Sequence, residues 1–245
     1  MEQEGPEAQQ LRSDLIANVS HDLRMPLVAM RGYLELLATR GEQLGADERR
    51  RCVAVALRQC EHLGRLVDEL FELARLDGLE LALARERFAI AELASDVVQK
   101  FALVADGQRV ELVVAADGQL PLVDANLGLI ERVLDNLIDN ALQHTPAGGS
   151  VRIALDAASG NAAVRVRVSD TGSGIAAADL PHVFDRHWRG PASARRAGAG
   201  GLGLAIAQRI VALHGGRLEV ESDLARGTCF SFSLPAAAVV PAGRG

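Results

Sequence analysis

Apolar residues recur along the first third of the chain at steps of three and four. Leu11, Leu15, Val19, Leu23, Leu27, Met30, Leu34 and Leu37 mark one face of a helix predicted over residues 9–40. Gly41 and Gly45 punctuate its end, and Asp47 stands where a cap would open a second helix reaching residue 76. The stripe there is Val53, Leu57, Cys60, Leu63, Val67, Leu70, Leu73 and Leu76. Two long helices with a short link make an antiparallel hairpin. A lone hairpin has nothing to bury its stripe against. Two hairpins paired into a four-helix bundle solve that, so a homodimer is the expected state, with packing on the rest of the same chain as the alternative.

Past Asp77 and Gly78 the pattern changes. Residues 88–90 read as a short strand, followed by a helix to about residue 105 and a strand over 110–114. Residues 127–142 are strongly helical. Residues 151–155 and 164–168 alternate apolar with polar positions, Arg165 and Arg167 sharing a face, as half-buried antiparallel strands do. A helix over 202–213 and strands over 218–221 and 229–234 complete the set. The expected class is α+β: a two-helix hairpin, then an α/β sandwich with a mixed sheet. The expected domains are an extension (1–10), a helical domain (11–77), a linker (78–87), an α/β domain (88–235) and a tail (236–245).

Composition changes this picture in small ways. Aromatic residues are 3% of the 245, so the core is expected to be aliphatic. A net charge of -6 argues against a nonspecific nucleic-acid binder, which needs a basic face. Cys52, Cys60 and Cys229 are odd in number and lack a C-x-x-C spacing, which points away from a disulfide framework or zinc site and fits a reducing compartment. No apolar run approaches the ~18–20 residues of a membrane span. The opening MEQEGPEAQQ has no signal-peptide pattern. The chain as it stands is expected to be soluble and cytoplasmic.

Candidate chemistry begins at NVSHDLRMPL. His21 is followed by Asp22, and Pro26 lies inside the helical pattern. An interior proline costs a helix about 3 kcal/mol, so its place just after a histidine suggests a purpose. A neutral imidazole can attack phosphorus with one ring nitrogen, and a carboxylate can hold the proton on the other. Asp22 is the candidate carboxylate.

Three segments point to a nucleotide. In DNLIDNALQHTP, Asn136 and Asn140 are four residues apart on one helix face, where amide oxygens can meet Mg²⁺. In DTGSGI, Asp170 can accept from an exocyclic amine, while Gly172 and Gly174 allow close backbone approach. In GAGGLGLAI, a glycine-rich run opens a helix, a setting that suits phosphate. Gly198, Gly200 and Gly203 also match the dinucleotide fingerprint G-x-G-x-x-G, but the basic loop RGPASARRA precedes them where that motif needs a strand.

Taken in order, these segments resemble the histidine kinase family. NVSHDLRMPL is similar to its H-box, DNLIDNALQHTP to the N-box, DTGSGI to the first G-box, VFDRHWRG to the F-box and GAGGLGLAI to the second G-box. GTCFSFSLP resembles the closing strand, and the likeness covers about residues 11–235. The resemblance implies a dimerisation and phosphoacceptor domain followed by a Bergerat-type ATPase domain. It implies His21 as phosphoacceptor, Asp22 as general base and Asn140 as Mg²⁺ ligand helped by Asn136. It implies Asp170 as reader of the adenine amine in a pocket with Gly172, Gly174 and Ile175. A mobile lid over 186–200 would carry Arg186, with Gly201, Leu202 and Gly203 near the phosphates. ATP and Mg²⁺ are the implied cofactors, and the implied partner is the receiver domain of a response regulator.

The chain departs from the family pattern in three places. Met25 stands where Thr or Asn is common, and a thioether does not orient water as they do, so weak or lost phosphatase activity is expected. Gln143 stands where a phosphate-contacting Lys is common, so modestly weaker ATP affinity is expected. Ala199 replaces a common Gly beside Gly200. The competing readings are a dimeric ATP-binding module without efficient phosphotransfer and a plain ATPase of the same superfamily, neither of which needs the His21–Asp22 pair. The kinase-like motifs begin almost at Met1, so a fragment of a longer membrane sensor is favoured over a short soluble kinase. Its place would then be the cytoplasmic face of the bacterial inner membrane.

Overall fold

The computed structural model describes residues 6–78, 83–158, 162–185 and 202–238, with side chains from Leu23 onward except that of Asp77. The chain divides into two compact units, one holding residues up to Leu73 with Asp185 and Leu202, the other Ala74–Phe184 and Gly203 onward. No helix among the described residues is long and apolar enough to cross a membrane.

The first unit holds α1 (Pro6–Arg40) and α2 (Ala46–Asp77) up to Leu73. α1 runs as one helix through Pro26. The link closes with Gln43 and Leu44 N–H groups donating to the Arg40 carbonyl. α2 starts one residue before Asp47, so Asp47 lies in the first turn rather than at the cap, and bonds Arg50 at 2.6 Å. Cys52, Ala56, Leu66, Leu73 and Leu76 are buried along one face of α2. Val53, Leu57 and Phe71, on another, are exposed.

The second unit holds β1 (Glu86–Phe88), α3 (Ile90–Gln108), β2 (Glu111–Ala116), β3 (Val123–Ala125), α4 (Leu127–His144), β4 (Ser150–Ala158), β5 (Ala163–Asp170), α5 (Gly203–Leu213), β6 (Glu219–Asp223) and β7 (Gly227–Pro235). Five strands form a mixed sheet in the order β2-β4-β5-β7-β6, and β1 pairs with β3 apart from it. β2 runs parallel to β4, with α4 in the connection, and the remaining pairs are antiparallel. The sequence places a strand at 88–90. It ends instead at Phe88, and Ile90, 1% exposed, opens α3. α3 also extends past residue 105, to Gln108, where Arg109 closes it in the left-handed conformation at φ 57°. The start of the expected tail is tied down: Ala236 N–H donates to the Ala162 carbonyl and Ala237 N–H to that of Leu122.

Alternation along the strands builds the core. Val151, Ile153 and Leu155 on β4, Val164, Val166 and Val168 on β5, and Phe230, Phe232 and Leu234 on β7 are buried. The intervening Arg152 and Arg165 are exposed, which leaves one face of the sheet polar. α4 buries Ile130, Val133, Leu134, Leu137, Ile138 and Ala141, the helical period of an inward face. The core is aliphatic as composition implies, with Phe184 edge-on to Phe230 at 6.1 Å.

Candidate functional site

Continuing the inward-facing register of β5 past Val168 brings not another valine but Asp170. The strand pattern thus drives a carboxylate into the end of the apolar layer, where it is 7% exposed. Its Oδ1 accepts from Gly172 N–H at 2.8 Å and Thr228 N–H at 3.3 Å. Burial raises the Asp170 pKa, while those two N–H groups and the nearby charge of His144 act against the shift. Asp170 Oδ2 makes no hydrogen bond among the described residues.

The loop after Asp170 is pinned at both ends. A Cβ on Gly172 would meet the His144 carbonyl oxygen at 2.6 Å, so only glycine lets the loop lie against the end of α4. Gly174 has φ +70°, and a Cβ there would collide with the Asp223 carbonyl. Ile175 N–H donates to Ser222 Oγ at 2.8 Å, and Ala225 N–H to the Ser173 carbonyl at 2.8 Å. The β6–β7 hairpin thereby holds the loop that carries the two glycines.

α4 presents a second group. Asn136, Asn140 and Gln143 lie three and four residues apart, on one side of the helix. The Asn136 Nδ2 is buried with no hydrogen-bond partner among the described residues. A Cβ on Gly203 would come 3.4 Å from Asn136 Oδ1, so the first residue of α5 sits against that amide. The first N–H groups of a helix have no partner within it. A buried donor without a partner beside such an end fits a ligand oxygen. Asn140 is half-buried. Gln143 Nε2 donates to Asp139 Oδ2 at 2.6 Å. Leu202 is buried just before α5. Arg186, Gly201 and the lid over 186–200 lie outside the described residues.

The two ends of α4 and α5 are joined by His214, which follows α5. His214 Nε2 accepts from the Asn126 N–H at 3.0 Å, and its Nδ1–H donates to the Ile210 carbonyl at 2.8 Å. Asn126 in turn caps α4, its Oδ1 accepting from Leu129 N–H at 3.0 Å. Burial lowers the His214 pKa, the Ile210 carbonyl opposes that, and the Arg85 charge adds to it.

In the helical unit, His21 and Asp22 are consecutive on α1, and their side chains lie outside the described residues. Met25, 58% exposed, follows on the next turn.

Asp170, Gly172, Gly174 and Ile175 lie on one loop, and Gly203 lies against Asn136. The sequence assigns no role to Thr228, Ser222 or His214. Thr228 lies inside the segment GTCFSFSLP, which was a signal for a strand only. An open cavity of about 440 Å³ is lined by Ser169, Asp170, Glu221, Ser222, Thr228 and Cys229, among others. It contains none of Asn136, Asn140 or Gly172. All three cysteines are free, and no metal-binding group of His, Cys, Asp and Glu is present among the described residues.

Comparison with known proteins agrees with the two-unit reading. Residues 11–79 match the His Kinase A (phospho-acceptor) domain, and residues 126–238 match the histidine kinase-, DNA gyrase B- and HSP90-like ATPase family. The sensor histidine kinase WalK of Bacillus subtilis is 37% identical over 227 residues, 92% of this chain and 37% of WalK. The chain thus spans little more than a third of that relative. The full-length structure of ShkA in complex with AMPPNP is similar at 29% identity and a TM-score of 0.66, over 92% of this chain and 47% of ShkA. The histidine kinase ThkA, solved with the response regulator TrrA, shares the fold at 23% identity and a TM-score of 0.76, over 94% of this chain and 64% of that one. A phosphoacceptor domain followed by an ATPase domain makes this chain a member of the sensor histidine kinase family.

Proposed function

We propose that this chain is the catalytic core of a protein-histidine kinase, which uses ATP to phosphorylate His21 and passes the phosphoryl group to an aspartate of a response regulator. The observation that carries the reading is Asp170, a buried carboxylate with one oxygen held by backbone N–H groups and the other without a bond among the described residues, at the mouth of a glycine loop. An acceptor in that setting suits the exocyclic amine of adenine. Gly172, Gly174 and Ile175 form the wall beside it.

Asn136, Asn140 and the opening of α5 from Gly203 are the proposed phosphate end. Asn140 is the proposed Mg²⁺ ligand through its amide oxygen. The partnerless Nδ2 of Asn136 is a donor, which suits a phosphate or water oxygen better than the metal itself. Bound Mg²⁺ would neutralise phosphate charge during transfer. Arg186, Gly201 and Leu202 complete this end by family resemblance.

His21 supplies the nucleophilic ring nitrogen. A nitrogen–phosphorus bond forms to the γ-phosphorus, the bond to the β–γ bridging oxygen breaks, and ADP leaves. Asp22 holds the proton on the other ring nitrogen and steadies the charge that develops. Met25 in place of a water-orienting Thr or Asn supports weak phosphatase activity. The working state is a homodimer: Leu27, Leu34, Val53, Leu57 and Phe71 are all more than 40% exposed in the single chain and supply apolar surface for a second copy. Cytoplasmic placement, or attachment through a longer membrane sensor, follows from the family likeness.

Incubation with γ-labelled ATP and Mg²⁺ tests the reading. Acid-labile, alkali-stable label is expected on the wild type and absent from His21→Ala. Nucleotide binding without label would favour the binding module.

A further inference from the structure

Three hydroxyl and carboxyl side chains form a row across the inner face of the sheet. Thr228 on β7 pairs in register with Ser222 on β6, and its backbone N–H bonds Asp170 on β5. Ser222 Oγ is the junction. It contacts the Gly227 carbonyl at 2.8 Å and Thr228 Oγ1 at 2.9 Å, and it accepts from Ile175 N–H at 2.8 Å.

The protons in this cluster have one fully bonded arrangement. A carbonyl oxygen only accepts, so the Ser222 proton goes to Gly227; otherwise two lone pairs would face each other at 2.8 Å. Ile175 N–H takes one Ser222 lone pair. Thr228 therefore donates its own proton to the other. That leaves Ser222 saturated, with one bond donated and two accepted. It also leaves Thr228 Oγ1, in a residue 7% exposed, with lone pairs and no proton to offer.

We infer that Ser222 fixes Thr228 as a hydrogen-bond acceptor, and through it sets the preference of the Asp170 site for a base with an amine over one with a carbonyl. Ser222 is a positioning residue behind the site. The inference rests on Asp170 reading a purine base, as proposed above. Asp170 and Thr228 line one cavity, and two acceptors there suit the two N–H bonds of an exocyclic amine. A carbonyl brought to the same place would meet lone pairs from both. With Ser222 removed, the Thr228 hydroxyl is free to turn and donate, and the penalty on the carbonyl falls.

The test is calorimetric titration of the whole chain with ADP and with inosine diphosphate, which replaces the amine by a carbonyl and puts a proton on the adjacent ring nitrogen. Wild type is expected to prefer ADP by at least about tenfold, the cost of an unmatched polar contact. Ser222→Ala is expected to narrow that ratio by roughly tenfold, and Ser222→Thr, which keeps the hydroxyl, to restore it. Thr228→Val removes the same acceptor while Ser222 keeps its bonds to Gly227 and Ile175, and should narrow the ratio as well, which keeps the inference testable if Ser222→Ala does not fold. A wild type that prefers ADP, with variants that keep the preference or lose both nucleotides equally, overturns the role of Ser222 alone. A wild type that binds the two diphosphates equally overturns the adenine reading, and the inference with it.

Discussion

Leu137 and Ile138 on α4 are fully buried, whereas Leu57 and Phe71 on α2 stand 58% and 73% exposed. Both helices carry long apolar stripes. α4 has a sheet and two helices to cover its stripe within the chain. α2 buries Cys52, Ala56, Leu66 and Leu73 but leaves a second stripe open at residues 53, 57, 60, 64, 67 and 71, in steps of four and three. That spacing is the seam of paired helices. The α/β unit thus covers its apolar stripe within the chain. The helical unit leaves one stripe to solvent in the single chain, as the proposed dimer requires.

The largest effect should come from breaking this contrast in the core. Leu137→Ala removes a fully buried side chain and is expected to cost about 2–5 kcal/mol in urea unfolding. Leu57→Ala, at an exposed position, should change the stability of a single chain by less than about 0.5 kcal/mol. Leu57→Asp should instead change mass in light scattering, from dimer to monomer. A dimer that survives Leu57→Asp at micromolar concentration would mean that this stripe is not the seam.

How far the sequence reveals each unit follows from the same contrast. The helices α1, α2 and α4 are long enough for their period to identify them, and the glycine loop after Asp170 is local. β3 has three residues, Val123–Ala125, and no period to detect. Residues 88–90 are apolar in type at both ends, and only the tertiary burial of Ile90 turns them from strand to helix start. Ser222 and Thr228 reach the glycine loop across 47 and 58 residues of chain. No local pattern encodes such a contact. His214 is hidden for the same reason, its partner Asn126 being 88 residues away.

His214 provides a smaller and more selective test. Its folded pKa lies below the usual value near 6.5, because burial and the Arg85 charge favour the neutral ring over the opposing pull of the Ile210 carbonyl. As pH falls, the unfolded chain takes up the proton first, so the folded state loses stability. The contribution is fully present above about pH 6.5 and is lost as pH falls through the folded pKa. Urea midpoints of the α/β unit should therefore drop between pH 8 and 5, and drop less in His214→Gln. The same slope in both proteins would place the pH dependence elsewhere.

The smallest effect should be on the nucleotide alone. Gln143 shares the Asn136 and Asn140 side of α4, and its amide is turned onto Asp139 at 2.6 Å. Gln143→Lys adds a cation on that side, but Asp139 competes for it, and an exposed pair of this kind is worth about 0–1 kcal/mol. A several-fold gain in ATP affinity is expected, with no change in urea midpoint or in oligomeric mass. Affinity equal to wild type would show that the phosphate end does not extend one turn beyond Asn140. A change in mass would be more damaging, because it would couple the proposed nucleotide site to the proposed dimer through a residue that belongs to the α/β unit alone.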